Sequence, residues 1–159
     1  MVGPTGAGKS VLLNLLDLQF RRYERALIFR FDKGRSSMAS ILGMAGSFYE
    51  LNTDGQVAFQ PLARVDDPGE RAWAAEWVHM LLAQEGVVLA PDIKEAVWSA
   101  LESLASAPRD ERTISGLAAL IQHSRLKPAL EPYTLDGPWG RLLDAERDDL
   151  DEASVVYRK

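Results

Sequence analysis

Cysteine is absent from the 159 residues of this chain. That excludes a disulfide framework, a thiolate zinc site and a cysteine nucleophile. Histidine is scarce: His79 and His123 stand alone, with no spacing that suggests a metal centre, and both are expected to be structural. No apolar run approaches the ~20 residues that span a bilayer, and no basic, then apolar leader opens the sequence. The chain therefore reads as soluble. Excess positive charge is missing too. The net charge is −5, so no sequence-wide term favours nucleic acid or an anionic membrane, and no direct DNA contact is expected. Internal repeats and low-complexity segments are also lacking.

What is present suffices for an ordinary domain. Hydrophobic residues make up 47% and charged residues 26%, enough apolar surface for a real core at this length. The strongest local signal is Gly3-Pro4-Thr5-Gly6-Ala7-Gly8-Lys9-Ser10, which matches the G-x-x-x-x-G-K-[ST] phosphate-binding loop. Glycines let successive backbone N–H groups curl around a polyphosphate where a Cβ would obstruct them. Lys9 can then reach the β- and γ-phosphates, and the Ser10 hydroxyl is placed to ligate Mg²⁺.

Val11 to Phe20 follows as a helix with an unusually broad apolar surface, predicted to be packed on most sides against a sheet. Arg21, Arg22 and Arg25 gather at its C-terminal end, where cations complement the helix dipole. Ala26–Asp32 reads as a short strand ending in a carboxylate. Loop, helix and strand thus come in the order of a P-loop α/β domain. Residues 36–45 predict a short helix stopped by Gly46, and residues 47–51 and 57–60 predict a β-hairpin turning at Asp54-Gly55.

From there the pattern becomes helical. Asp67-Pro68-Gly69-Glu70 predicts an N-cap, a proline at the first helical position and a capping box, leading to a Trp73/Trp77/Met80/Leu81 stripe that Gly86 ends. Pro91 begins another helix with Ile93, Val97, Leu101 and Leu104 on one face. Shorter helices are expected at 115–122 and 126–130. The boundaries expected are a partial P-loop core over 1–66 with its hairpin, a helical subdomain over 67–147, and a divergent tail over 148–159. The four tryptophans, Trp73, Trp77, Trp98 and Trp139, are expected mostly to anchor helix packing.

Hydrolysis needs an acid on a neighbouring strand as well as a cradle. Asp32 is the best-placed carboxylate by pattern, read either as a Mg²⁺-shell ligand with a catalytic role beside Lys9 or as a strand-ending turn residue. Pro91 interrupts the run before Asp92, and Asp151-Glu152 lacks an apolar strand before it. No convincing Walker B element is found. One alternative is a small P-loop metabolite kinase, with Asp32 as base and Arg109 and Arg112 as lid groups over the γ-phosphate. Another is a non-catalytic remnant acting only as an interaction module.

Gly3–Ser10, Gln19-Phe20-Arg21-Arg22-Tyr23 and Phe29-Arg30-Phe31-Asp32-Lys33-Gly34-Arg35-Ser36 together resemble the TrbE/CagE-type ATPases of conjugative transfer and type IV secretion, within the HerA/FtsK group of P-loop motors. The resemblance continues through Gly46–Leu51, Phe59-Gln60-Pro61-Leu62, Glu76-Trp77 and Arg112–Ser115 to about Gly137–Asp144. It implies an α/β fold class: an incomplete RecA-like P-loop NTPase core with a mostly helical second half, read as an internal slice of such an ATPase. It further implies a motor that energises pilus assembly or export of DNA or protein. ATP and Mg²⁺ would be held by Gly3, Pro4, Thr5, Gly6, Ala7, Gly8, Lys9 and Ser10. Other secretion components would be partners, and copies would assemble as a hexamer. The place of work would be cytoplasmic, peripheral to the inner membrane. With the Walker B strand and its acid missing, weak nucleotide binding at best and negligible turnover are expected.

Overall fold

The computed structural model describes residues 8–24, 26, 28–32, 35–51 and 57–149. The chain divides into two compact units, one containing the residues up to Tyr49 and the other Glu50–Leu150.

In the first unit, α1 (Lys9–Phe20) starts from Gly8, whose φ of 73° is a left-handed conformation that glycine adopts without a Cβ penalty. Arg22 closes its other end by donating from Nε to the Gln19 carbonyl (3.1 Å). The leucine-rich surface is not packed as predicted. No residue of α1 is buried, and Val11, Leu12, Leu13, Leu15, Leu16, Leu18 and Phe20 are 40–72% exposed. The reason is the lack of a sheet among the described residues. Ala26, Ile28 and Phe29–Asp32 run as irregular backbone where a strand was predicted, and Leu27 lies outside the described residues. A strand exists only with a ladder partner for its N–H and C=O groups, and no such ladder forms among the described residues. Arg30 instead ties this segment to α1, pairing with Asp17 (2.8 Å) and donating to Asn14. Ser40 of α2 (Met38–Gly43) donates to the same Asn14 oxygen (3.2 Å).

The predicted stop of α2 is displaced by one residue. Ala45, at φ 55°, takes the left-handed position. Its N–H bonds Leu42 O (2.9 Å) and the Gly46 N–H bonds Ile41 O (2.9 Å), the two closing bonds of a Schellman motif.

The second unit is helical. Asp67 caps α3 (Pro68–Gln84), its carboxylate accepting from the N–H groups of Gly69 (2.8 Å) and Glu70 (3.1 Å). The reciprocal half of the predicted capping box is not made. The Asp67 N–H goes to Arg64 O (3.0 Å), and the Glu70 carboxylate meets the Arg64 guanidinium (3.5 Å). Gly86 ends the helix at φ 78° in the same Schellman pattern, with the Val87 N–H on Leu82 O (2.9 Å). Then come α4 (Pro91–Leu104), α5 (Ile114–Leu120, capped by Thr113), α6 (Leu126–Leu130) and α7 (Gly140–Leu143). Contacts link α3 to α4 and α6, α4 to α5, and α5 to α6, so four helices close around one core. Ile93, Val97, Leu101 and Leu104 are buried there as their spacing predicts, with Leu62, Val65, Val78, Leu82, Ile114, Leu117 and Leu130. The boundary expected at 66/67 therefore falls inside this unit. Of the tryptophans only Trp77 packs against the core. Trp73, Trp98 and Trp139 are largely exposed, and Trp73 stacks on Trp77 with ring centroids 6.1 Å apart.

The expected β-hairpin is also replaced. Its turn, 52–56, lies outside the described residues, and neither flank forms a strand. Residues 58–59 pair instead with the far end of the unit. Phe59 donates to Leu142 O (2.7 Å) and accepts from the Ala145 N–H (3.2 Å), while Ala58 O accepts from the Asp149 N–H (2.9 Å). The chain enters and leaves the helical unit side by side.

Candidate nucleotide-binding site

Gly3, Pro4, Thr5, Gly6 and Ala7 lie outside the described residues; Gly8, Lys9 and Ser10 lie within them, at the start of α1. A Cβ built on Gly8 would meet nothing within 4 Å, so glycine is required there by its backbone angle and not by crowding. Lys9 and Ser10 occupy the first two helical positions. The first turn of α1 holds no carboxylate, and its N-cap, Gly8, has no side chain to cap it. Its leading N–H groups point along the positive end of the helix dipole, the arrangement that suits an anion.

The structure places Asp32 at the entry to α2. Its Oδ2 accepts from Ser36 Oγ (3.0 Å), the Ser37 N–H (2.7 Å) and Ser37 Oγ (2.7 Å), and Ser37 is fully buried. This carboxylate organises the turn that starts the helix, the role short acidic side chains take at helix entries.

The lid role considered for Arg112 is replaced by an internal one. Its guanidinium donates to the carbonyls of Ala63 (3.1 Å), Ala105 (3.2 Å) and Ala107 (3.0 Å) and pairs with Asp66. It ties the C-terminal end of α4 to the segment that precedes α3. Gln60, also buried, donates to the carbonyl of Arg109, whose own side chain is exposed in a 3₁₀ turn over Arg109–Glu111.

Three buried polar groups of the helical unit were not singled out by sequence pattern or were given only a structural part. Asp144 accepts from the N–H groups of Ser115 (2.9 Å) and Leu135 (2.8 Å) and from the Ser115 hydroxyl. It therefore satisfies the N-terminus of α5 from across the fold. Gly140 is the sequence signal of this corner, since a Cβ there would collide with the Thr134 backbone. Tyr133 donates to Glu85 Oε1 (2.8 Å); burial, then that hydrogen bond, push its phenol up to about 12. His79 is buried in α3, and its Nε2 has no hydrogen-bond partner among the described residues. Burial holds its imidazole below the ordinary 6.5, against the opposing pull of Glu76 and with a smaller push from Lys94. His123 accepts the Arg125 N–H at Nδ1 (3.3 Å), and its Nε2 lies 4.0 Å from Asp92.

No family model matches the chain. Individual proteins do. The chain is 46% identical over 153 residues to a probable conjugal transfer protein TrbE of Sinorhizobium fredii, covering 93% of this chain and 23% of that protein. It is 43% identical over 155 residues to the conjugal transfer protein TrbE of Rhizobium radiobacter, covering 93% and 19%. A more distant match, 22% identical over 152 residues, is the type IV secretion system protein virB4 of Bartonella henselae. These matches define the class as that of conjugal transfer and type IV secretion proteins. Within it, the relatives that share 43–46% identity with the chain are TrbE proteins. It spans about a fifth of the length of the curated relatives it matches.

Proposed function

We propose that this chain carries the nucleotide-gripping loop and an attached helical unit of a TrbE-type ATPase that energises conjugative transfer or type IV secretion. The observation that supports this most is the joining of two facts: 43–46% identity to TrbE proteins, and a left-handed Gly8 leading into an uncapped helix start at Lys9-Ser10. In this reading the loop from Gly3 to Gly8 wraps the phosphates, Lys9 meets the β- and γ-phosphate charge, and the Ser10 hydroxyl holds Mg²⁺. The donor set fits, combining oriented amides, one cation and one hydroxyl at the N-terminus of a helix whose first turn holds no carboxylate. Bound Mg²⁺ would neutralise charge on the β- and γ-oxygens. The leucines of α1 are the face that a RecA-like sheet covers, and copies assemble in a ring at the cytoplasmic side of the inner membrane. Among the described residues no helix is long and apolar enough to cross a membrane, in keeping with a peripheral position.

A fluorescent ATP analogue titrated into the full chain, with and without Mg²⁺, tests the reading. Binding that Mg²⁺ tightens and that Lys9→Ala weakens by about tenfold or more is expected, since a lost phosphate contact by a charged group is worth ~1.5–3 kcal/mol. Absence of binding, or binding indifferent to Lys9→Ala, overturns it. Asp32→Asn in the same titration separates a place in the Mg²⁺ shell, which would blunt the Mg²⁺ effect, from its observed hold on Ser36 and Ser37.

A further inference from the structure

The modest net charge of −5 conceals a strong polarity. Residues 1–49 hold seven Lys/Arg against three Asp/Glu, a net of +4, whereas residues 50–150 hold nine against eighteen, a net of −9. Each unit also exposes apolar surface beside its charge. On the helical unit, two adjoining cavities of about 590 and 580 Å³ share Asp110, Leu135, Asp144 and Glu146 and so form one groove. Leu135 and Leu120 face solvent along it, 69% and 41% exposed. Asp110, Glu111 and Glu146 rim it, and among the described residues none of the three is in an ion pair. Arg147 is the one cation lining it among the described residues. On the first unit, the end of α1 presents Phe20 and Tyr23, whose rings pack 5.5 Å apart, with the exposed Arg21 and Arg22 between them in the chain.

We propose that the groove binds the Phe20–Tyr23 end of α1 from a second copy of this chain. Aromatic rings would cover the exposed leucines while Arg21 and Arg22 meet Asp110, Glu111 and Glu146. Both surfaces are apolar at the centre and oppositely charged at the rim, the pattern that orients partners and excludes wrong ones. Because the two surfaces differ, the contact is heterologous and propagates from copy to copy, closing into a ring where the rotation allows. The inference deepens the ring-forming part of the proposed function by naming the surface. It is tested without nucleotide, so that its failure stays distinct from failure of ATP binding.

Sedimentation of the full chain over a range of concentrations is the experiment. Concentration-dependent association is expected, weakening about tenfold or more between ~0.1 M and ~1 M NaCl, as the Debye length falls from about 10 Å to about 3 Å. Two charge-reversed chains sharpen the test: Arg21→Glu with Arg22→Glu, and Asp110→Lys with Glu146→Lys. Each alone should remain monomeric while keeping the cooperative urea transition of its helical unit. Mixed, they should associate, because the reversed end of one now matches the reversed groove of the other. A chain that is monomeric throughout overturns the proposal, as does association indifferent to salt or to either reversal. So does a groove that takes only an added arginine-rich peptide, or a reversal that alters the sedimentation coefficient without concentration dependence, the mark of docking within one chain.

Discussion

His79 is the residue whose environment and chemistry are most at odds. Its Nε2 sits in the core without a hydrogen bond among the described residues, and burial favours the neutral ring. Since the folded state holds the imidazole below 6.5, the unfolded chain binds more protons in the window just under that value. Stability of the helical unit is therefore complete above 6.5 and declines as the pH falls from there toward the folded-state value. Urea melts at stepped pH should show the decline in the native chain, and His79→Leu should flatten it. Ala45 and Gly86 offer a second contrast at this scale. Both occupy the left-handed position that closes a helix, but only Gly86 does so without a Cβ. Reading Gly46 as the stop of α2 located the motif and missed which residue bears the strain.

Among the elements, the ends of α3 and the start and buried face of α4 were legible because their signals are local, whereas Trp73 and Met80 of the stripe expected on α3 are exposed. Asp67, Pro68, Gly86 and Pro91 act on neighbours within a turn, and the 3.6-residue spacing of Ile93, Val97, Leu101 and Leu104 states its own burial. The Ala26–Asp32 segment was not legible on the same terms. An alternating apolar run fixes which side chains share a face but says nothing of whether a neighbouring strand is there to pair with. The internal role of Arg112 was hidden for a related reason. Its acceptors Ala63 and Asp66 lie almost fifty positions away, beyond the reach of any spacing rule. Its internal role makes a definite expectation. Arg112→Ala leaves three carbonyls and Asp66 without their donor and should cost about 3 kcal/mol, read as a lower urea midpoint of the helical transition. Arg112→Lys should recover less than half of that, because an ammonium cannot reproduce the planar fork.

At the level of the whole molecule, the helical unit owns its core. Its buried apolar side chains come from residues 62–133, and its two ends are hydrogen-bonded to each other through Ala58, Phe59, Leu142, Ala145 and Asp149. A polypeptide of residues 57–149 should therefore unfold cooperatively by itself, with a urea midpoint matching that of the helical transition in the full chain. A broad, non-cooperative melt of the excised piece would show that the first unit is needed for it. The charge polarity belongs to this scale as well, and it escaped notice while charge was summed over the whole sequence.

The paired ends have one more consequence. To whatever polypeptide surrounds it, this long excursion presents the same two closely spaced attachment points as a tight turn. The entropy of joining them is settled by Phe59 and its bonding partners before any host structure forms. Such a cassette can be lengthened, shortened or exchanged at its outer face without re-registering the frame that carries it.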